Sequence, residues 1–298
     1  MNLAARAWAA VESRLLWIAL ILLLVALFAP RVKLPHDAYE YVVFFDLTQS
    51  MDVQDYEIDG LPVSRLDYAR YSVRRALREL PCGSRVGWGA FAEYRSLLLL
   101  SPVEVCSNYN DLLTSLNRID GRMRWANASE VGKGVYWSAR TALAEGSKPD
   151  VIFISDGQEA PPLIPGDPVS MPGDVQPGQV RGWIIGAGGD TPQRIPRSDP
   201  EGRRIGYWGA TDVVQLRSPD GRGILGAEHL SALRESHLQA LAARVGYSYA
   251  RLTGSDSIGS AMRDERFVRR QSAPTDLYWI PAVLALLMLV VRYRSLFR

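Results

Sequence analysis

Oxygen-bearing side chains follow two apolar runs in this sequence. The run VVFFDLTQSMD (residues 42–52) changes character at Asp46 and then places Thr48 and Ser50 at alternate positions. Asp156 similarly follows the apolar run in DVIFISDG. Hard cations such as Mg²⁺ and Ca²⁺ prefer carboxylate and hydroxyl oxygens as ligands. Together these residues suggest a divalent cation site, provided that the fold brings the two runs together.

The central region alternates strand-like and helix-like stretches, which predicts an α/β domain with a mostly parallel sheet. Near-continuous apolar runs predict strands buried on both faces: YEYVVFFDL, DVIFISDG, QVRGWIIGAGG and YSYARLTG. Helical spacing is found in SRLDYARYSVRRALREL, NYNDLLTSLNRI, SEVGKGVYWSARTALAEG and SALRESHLQALAARVG. In the first of these helices the arginines are expected on the face opposite the apolar residues. Ligands of such sheets bind beyond the carboxyl ends of the strands, where Asp46 and Asp156 are expected.

The stretches RVGWGAFA and SLLLLSP predict an antiparallel hairpin that turns near Tyr94. Cys82 and Cys106 are then equidistant from the turn and face each other at the open end of the hairpin. This is the geometry that a disulfide needs. The alternative is a pair of unrelated buried thiols.

The composition excludes some functions and leaves the class of protein open. The chain has 298 residues, a net charge of +2 and 47% hydrophobic residues, enough for one large domain or two small ones. The near-balanced charge does not suggest nucleic acid as a partner. With three histidines, a His-rich zinc or iron site is disfavoured.

Apolar segments at both ends predict two transmembrane helices, at 15–30 and 276–292. The first, LLWIALILLLVALFAP, is interpreted as a retained signal anchor, since small residues do not occupy both positions needed for signal cleavage. A cleaved signal peptide and, for each segment, a buried helix are the alternatives. We expect lipid contacts along both helices.

Arginines outside these segments predict the orientation of the chain. Arg6 and Arg14 precede the first segment, and Arg292, Arg294 and Arg298 follow the uncharged core of the second, Leu277–Val291. The positive-inside rule then makes 1–14 and 293–298 cytoplasmic and the intervening region periplasmic, in a bacterial inner membrane. Arg31 and Lys33 argue mildly against this orientation. A periplasmic location would also favour a disulfide.

Three motifs in the central region resemble those of the von Willebrand factor A (VWA) domain. DLTQSMD is similar to the first motif, Asp-x-Ser-x-Ser, with Thr48 in place of its first Ser. ISDGQE is similar to the third motif. ASEVGKGV is similar to the loop between them, with Ser129 in place of the usual Thr and Gly132 three residues later. In that family the three motifs form the metal-ion-dependent adhesion site, or MIDAS.

The resemblance implies a Rossmann-like, doubly wound domain over 38–272, with an insertion at 188–223. It also implies a Mg²⁺ or Ca²⁺ ion bound by the hydroxyls of Thr48, Ser50 and Ser129. Asp46 and Asp156 would act largely through water and hydrogen bonds. One coordination position would stay open for an acidic side chain of a protein partner.

Further stretches resemble two bacterial subgroups of the family. SRLDYARYSVRRAL and GSRVGWGAFAEYRSLLLLSP are similar to the membrane-anchored, aerotolerance-related Bat-type proteins. ISDGQEAPP and GGDTPQRIPRSDPEGRRIGYW are similar to the methanol dehydrogenase accessory proteins of the MxaL type. The second resemblance implies maturation of a periplasmic quinoprotein dehydrogenase. Other VWA membrane proteins and a MoxR-type ATPase are the partners that it implies.

Three function classes follow from these observations. The favoured one is a non-enzymatic binding module whose cation docks a partner. An enzyme such as a metal-dependent hydrolase is disfavoured, because the sequence offers no nucleophile–base pair and no P-loop. The third is a structural membrane subunit with a vestigial metal site.

Candidate partner contacts are Asp52, Glu159, Trp125 and Trp208. Asp52, together with Asp55 and Glu57, also fits a solvated acidic loop. Each Trp could instead cover the domain's own core.

Overall fold

The computed structural model describes residues 3–28, 31–164, 174–216 and 226–293. The chain falls into two units, one of residues up to His36 together with those from Arg270 onward, and the other of Asp37–Arg269. The predicted cytoplasmic tail 293–298 lies outside the described residues except for its first residue. The last two residues of the predicted span 15–30 and the end of the predicted insertion 188–223 also lie outside them.

Helices and strands alternate along much of the described ranges. The helices are α1 Leu3–Leu27, α2 Arg65–Glu79, α3 Tyr109–Arg118, α4 Val131–Ala144, α5 Glu235–Val245, α6 Ser257–Met262 and α7 Trp279–Tyr293, with 3₁₀ helices at Gln49–Asp52, Gly121–Met123 and Glu265–Phe267. The strands are β1 Arg31–Ala38, β2 Glu40–Asp46, β3 Tyr56–Ile58, β4 Leu61–Val63, β5 Arg85–Ala92, β6 Arg95–Glu104, β7 Asp150–Ser155, β8 Gly182–Gly186, β9 Gln193–Arg194, β10 Pro196–Ser198, β11 Arg204–Tyr207, β12 Leu230–Ser231, β13 Ser248–Arg251 and β14 Arg269–Asp276.

A six-stranded sheet in the order β13-β8-β7-β2-β5-β6 forms the centre of the larger unit. Its strand pairs are parallel except for β5 and β6, which are antiparallel at one edge. The predicted mostly parallel sheet with one antiparallel edge hairpin is therefore confirmed.

Helices cover both faces of this sheet, which explains the unbroken apolar run of β2. Tyr41, Val43 and Phe45 pack into a core with α2, α3 and α6. Val42 and Phe44 point to the opposite face and pack with α4 and α5. Because successive side chains of a strand alternate between faces, a strand covered on both sides is apolar along its interior, here from Tyr41 to Phe45.

The hairpin of β5 and β6 carries the predicted disulfide, although its register is not uniform and shifts at irregularities between Val86 and Gly89. Arg85 pairs with Glu104 at its open end, and Ala92 pairs with Arg95 beside the turn. Cys82 and Cys106 form a disulfide with their Cα atoms 5.3 Å apart. The cross-link therefore closes the open end of the edge hairpin.

The insertion contains short antiparallel strands. β10 pairs with β11 within it, and β9 pairs with β12, which follows it in the sequence. Between β10 and β11, Asp199 accepts a hydrogen bond from the backbone N–H of Arg203, and Gly202 has a φ of +81°. A glycine adopts this left-handed conformation without steric cost, which permits the tight turn.

The smaller unit contains α1 and α7, together with a pairing of β1 and β14 that the sequence did not suggest. Ala19 and Ala285 are buried, whereas many large apolar side chains of both helices are exposed, among them Trp17, Ile21 and Leu286. None of the helices in the described ranges reaches both the length and the apolarity that spanning a membrane requires. The two spans at 15–30 and 276–292 remain predictions.

Candidate metal centre

The end of β2 folds into a tight turn around the carboxylate of Asp46. The backbone N–H and the hydroxyl of Thr48 both donate to Asp46 Oδ1, at 2.9 and 2.7 Å. The hydroxyls of Thr48 and Ser50 lie 3.2 Å apart. An Asp that accepts from the backbone two residues later commonly organises such a turn. The alternation of Asp46, Thr48 and Ser50 in sequence thus places three side-chain oxygens together.

The neighbouring strand β7 adds a hydroxyl that sequence reasoning missed. Phe45 and Ile154 are paired in the parallel register, so that Asp46 and Ser155 lie side by side. Ser155 Oγ donates to Asp46 Oδ2 at 2.6 Å and accepts from the backbone N–H of Gly157 at 3.0 Å. The motif ISDG contained this signal, because Ser155 directly precedes Asp156 and therefore ends β7 beside Asp46 of β2.

Ser129 is held beside these residues by its backbone. Its N–H donates to the carbonyl of Ala160 at 2.8 Å, and its carbonyl accepts from the N–H of Ala160 at 2.7 Å. The turn of the edge hairpin lies on its other side, where Glu93 forms a β-bridge with Ser129. Ser129 is 2% exposed, and its hydroxyl has no hydrogen-bond partner among the described residues.

Asp156 forms an ion pair with Arg65, an arginine that helical spacing predicts on the far face of α2. The first residue of α2, Arg65, is fully buried, and its Nη1 donates to Asp156 Oδ2 at 2.7 Å. The hydroxyl of Ser231 donates to the same oxygen at 2.7 Å. The prediction that the arginines of this helix lie on its far face is wrong for Arg65, because the first residue of α2 lies beside Ser50 and Asp156, at the edge where β2 and β7 end.

The same guanidinium also binds the loop that follows β2. Arg65 Nη2 lies 2.7 Å from Asp55 Oδ2, and that carboxylate also accepts from the backbone N–H of Gly189 at 2.9 Å. A Cβ on Gly188 would lie 2.9 Å from Arg65 Cζ, so only glycine leaves room for the guanidinium there. The interpretation of Asp55 as part of a solvated acidic loop is wrong, since it is ion-paired and largely buried.

Burial dominates the electrostatics of Asp46. Desolvation, followed by the negative charge of Asp156, raises the pKa of Asp46 well above its usual value, while the hydrogen bonds from Ser155 and Thr48 oppose this shift. A bound cation beside the carboxylate would oppose this shift, because an opposite charge favours the ionised form.

The four residues suggested as partner contacts lie in different environments. Glu159 accepts hydrogen bonds from the N–H groups of Val131 and Gly132, at the start of α4. Asp52 lies 3.5 Å from the guanidinium of Arg124, and its carboxylate is mostly buried. Trp125 is 41% exposed, in the loop that precedes Ser129. Trp208 lines a cavity beside the cation-site residues.

Glu159 also contacts a histidine of α5. His237 Nε2 lies 2.9 Å from Glu159 Oε1, and the His237 side chain is 22% exposed. The geometry makes Glu159 a cap of α4, which fixes the helix that follows Ser129.

A cavity of about 330 Å³ opens beside the predicted metal ligands. Thr48, Ser50 and Ser129 line it, together with Trp208 of the insertion. The remaining lining residues are Gln49, Asn127, Ala128, Gln158, Ala160, Pro161, Ile195, Asp212, Val213, Val214 and Glu228.

The donor set suits a hard divalent cation. Thr48, Ser50 and Ser129 supply hydroxyl oxygens beside a carboxylate, without sulfur or imidazole, as Mg²⁺ and Ca²⁺ prefer. The buried, unpartnered hydroxyl of Ser129 is a group that a cation would satisfy, since buried polar groups are seldom left unpaired. Asp156 is engaged by Arg65 and Ser231, so it fits a supporting position better than direct ligation.

Comparisons with known proteins were made on sequence and on structure. No protein-family model and no curated protein matches the chain. The structure is similar to that of an aerotolerance-related membrane protein from Bacteroides fragilis, with 19% identity, a TM-score of 0.51, and coverage of 76% of this chain and 98% of that chain. A von Willebrand factor type A structure from Catenulispora acidiphila aligns at 12% identity and a TM-score of 0.42, covering 76% of this chain and 41% of that chain. At 19% identity, the similarity to the Bacteroides fragilis protein shows a similar fold alone.

The mostly parallel sheet between two layers of helices fits the Rossmann-like fold that the VWA resemblance implies. The structure brings together Asp46, Thr48 and Ser50 by direct contacts, and places Ser129 on the same cavity. Asp156 lies at the same edge of the sheet, bound through Arg65. Cation binding by these residues remains a prediction.

Proposed function

We propose that this chain is a docking module that binds a divalent cation at Thr48, Ser50 and Ser129 and captures a protein partner through it. The observation that carries this proposal is the hydroxyl of Ser129, which is buried and unpartnered among the described residues, on the wall of the cavity that Thr48 and Ser50 also line. A bound ion would leave a coordination position for an acidic side chain. The role is binding, without catalysis.

Two pathways fit this module. In the first, the chain is an accessory factor in the maturation of a periplasmic quinoprotein dehydrogenase of the methanol-oxidising type. In the second, it is a subunit of a Bat-type envelope complex that works with other VWA membrane proteins and a MoxR-type ATPase. The likeness in fold to an aerotolerance-related membrane protein supports the second pathway. Co-purification of the tagged chain with a quinoprotein dehydrogenase would favour the first pathway, whereas co-purification with a MoxR-type ATPase and without a dehydrogenase would favour the second.

We also propose that α1 and α7 anchor the chain in a bacterial inner membrane, with both termini in the cytoplasm. The exposed apolar side chains of the two helices support this placement, including Trp17, Leu24, Leu287 and Val291. Alkaline phosphatase fused after Arg298 should be inactive and a fluorescent protein there should fluoresce, because the fusion stays in the cytoplasm. Phosphatase fused after Asp276, in a chain truncated there, should be active. An active phosphatase after Arg298 would contradict the orientation.

Calorimetric titration of the full chain with MgCl₂ and CaCl₂ tests the metal site. We expect one cation per chain, and the Asp46→Asn variant should lose the binding because the site then lacks its carboxylate. The matched control is Asp111→Asn, which changes an exposed acid at the start of α3. Lack of binding by the unmodified chain at millimolar cation would overturn the proposal and favour a structural subunit with a vestigial site.

A further inference from the structure

The cavity beside the cation site is lined by residues of two chemical kinds. Thr48, Ser50 and Ser129 contribute hydroxyl groups. Much of the remaining lining is apolar: Ala160, Pro161, Ile195, Val213 and Val214, with the indole of Trp208. A ligand that fills the cavity therefore needs an apolar group next to the group that reaches the cation.

The apolar part of the lining belongs mainly to the insertion. It is hydrogen-bonded to the loop that carries Thr48 and Ser50. The indole N–H of Trp208 donates to Gln49 Oε1, and Gln49 Nε2 donates to Asn127 Oδ1 at 3.1 Å. An indole nitrogen only donates, so the orientation of the Gln49 amide is determined by this contact. The guanidinium of Arg197 lies over the indole, 4.8 Å from the ring centre. Trp208 is thus hydrogen-bonded to Gln49, which lies between Thr48 and Ser50 in the sequence.

A second buried polar atom of the cavity residues lacks a partner among the described residues. Gln158 Nε2 donates to Glu228 Oε2 at 2.8 Å, and an ionised carboxylate only accepts, so the amide oxygen of Gln158 faces away from Glu228. Gln158 is 3% exposed, and its Oε1 has no hydrogen-bond partner in the part of the chain that the structure describes. An acceptor in this position suits the backbone N–H of a peptide.

We infer that the cavity selects a peptide segment in which an acidic residue is adjacent to a large apolar residue. The carboxylate occupies the open position of the cation, a backbone N–H of the peptide donates to Gln158 Oε1, and the apolar side chain packs against Ile195, Val214 and Trp208. The insertion is then the element that determines partner specificity. This inference rests on the proposed function and names the class of partner that the site takes.

Selection of random heptapeptides on phage against the full chain, immobilised with MgCl₂ and eluted with a chelator, tests the inference. We expect the eluted peptides to be enriched in Asp or Glu next to Leu, Ile, Val, Phe or Met. In a synthetic peptide from this pool, Ala at the apolar position should weaken binding about tenfold or more, as the loss of an apolar group from a fitted pocket does.

Two matched variants of the insertion complete the experiment. Val214 and Ile205 are 66% and 60% exposed, but only Val214 lines the cavity. Val214→Asp should weaken peptide binding about tenfold or more with unchanged cation affinity, whereas Ile205→Asp should change neither. Enrichment of acidic residues without an apolar neighbour, failure to enrich any chelator-released peptide, or equal effects of the two variants would overturn the inference. A chain that binds no cation in calorimetry would instead overturn the proposed function.

Discussion

The guanidinium of Arg65 donates to the carboxylate of Asp156 at 2.7 Å, and both side chains are completely buried. Each charge depends on the other, because removing one partner of a buried pair leaves an uncompensated charge in a medium of low dielectric constant. The pair also connects the start of α2 to the residue that follows β7. The integrity of the strand-end site and the stability of the domain therefore depend on the same contact.

The first prediction concerns this pair. Arg65→Met should lower the free energy of unfolding by about 3 to 5 kcal/mol, because Asp156 and Asp55 lose their shared cation. Denaturant unfolding followed by circular dichroism measures the change. Arg75→Met is the control on the same helix, since the ion pair of Arg75 with Asp256 is exposed and should leave the unfolding midpoint almost unchanged. Similar losses for the two variants would contradict the role assigned to Arg65.

The second prediction separates metal binding from stability. Ser129→Ala should weaken Mg²⁺ or Ca²⁺ binding about tenfold or more, equivalent to about 1.4 kcal/mol per factor of ten. It should not destabilise the fold, because the hydroxyl makes no hydrogen bond within the described residues and its removal breaks none.

Ser72→Ala provides the control for that measurement. Ser72 is also buried, with a hydroxyl unpartnered among the described residues, but it lies within α2 and does not line the cavity. Calorimetry should find its cation affinity unchanged. Equal cation affinity for Ser129→Ala and the unmodified chain would argue against Ser129 as a ligand.

The third prediction concerns the disulfide at the open end of the edge hairpin. Replacing Cys82 and Cys106 by Ser should lower the free energy of unfolding by about 3 kcal/mol, because the two residues are 24 positions apart and the closed loop restricts the unfolded chain. Chemical denaturation with and without dithiothreitol measures this effect. The reductant should destabilise the unmodified chain and leave the double variant unchanged, and an equal response of both chains would refute the assignment.

The fourth prediction tests Glu159 as the cap of α4. Glu159→Ala should lower the free energy of unfolding by about 1 to 2 kcal/mol, because the N–H groups of Val131 and Gly132 lose their acceptor. Glu130→Ala is the control, since Glu130 is more exposed and pairs with Lys133 on the surface. Thermal unfolding compares the two variants. A partner-binding defect in Glu159→Ala without loss of stability would instead restore its interpretation as a contact residue.

Much of the fold followed from local patterns that burial imposes on the sequence. The interior of a central parallel strand is apolar on both faces. This pattern made β2 and β7 recognisable, together with Asp46 and Asp156 where the strands end. The equal distances of Cys82 and Cys106 from Tyr94 gave the hairpin and the cross-link, because pairing on either side of a tight turn is nearly symmetric. The shifts of register between Val86 and Gly89 left no signal in the sequence. These features depend on neighbours along one strand or one hairpin.

The rest depended on contacts between distant segments. Arg65 was assigned to a solvated face because helical periodicity says nothing about which buried carboxylate lies beyond the first turn. The pairing of β1 with β14 joins segments that are more than 230 positions apart in the sequence, and neither carries a strong strand pattern. The helix cap formed by Glu159 likewise required the three-dimensional approach of α4 to the end of β7.

The predicted ligands come from three chain segments: the turn after β2, the loop before α4 and the end of β7. An unfolded chain would not hold these segments together, so a cation would bind the native state and not the denatured ensemble. Such a ligand adds stability according to its free concentration, about 2.7 kcal/mol at one hundred times its dissociation constant. If the proposed function holds, the supply of divalent ion around the chain determines how long it survives unfolding and proteolysis.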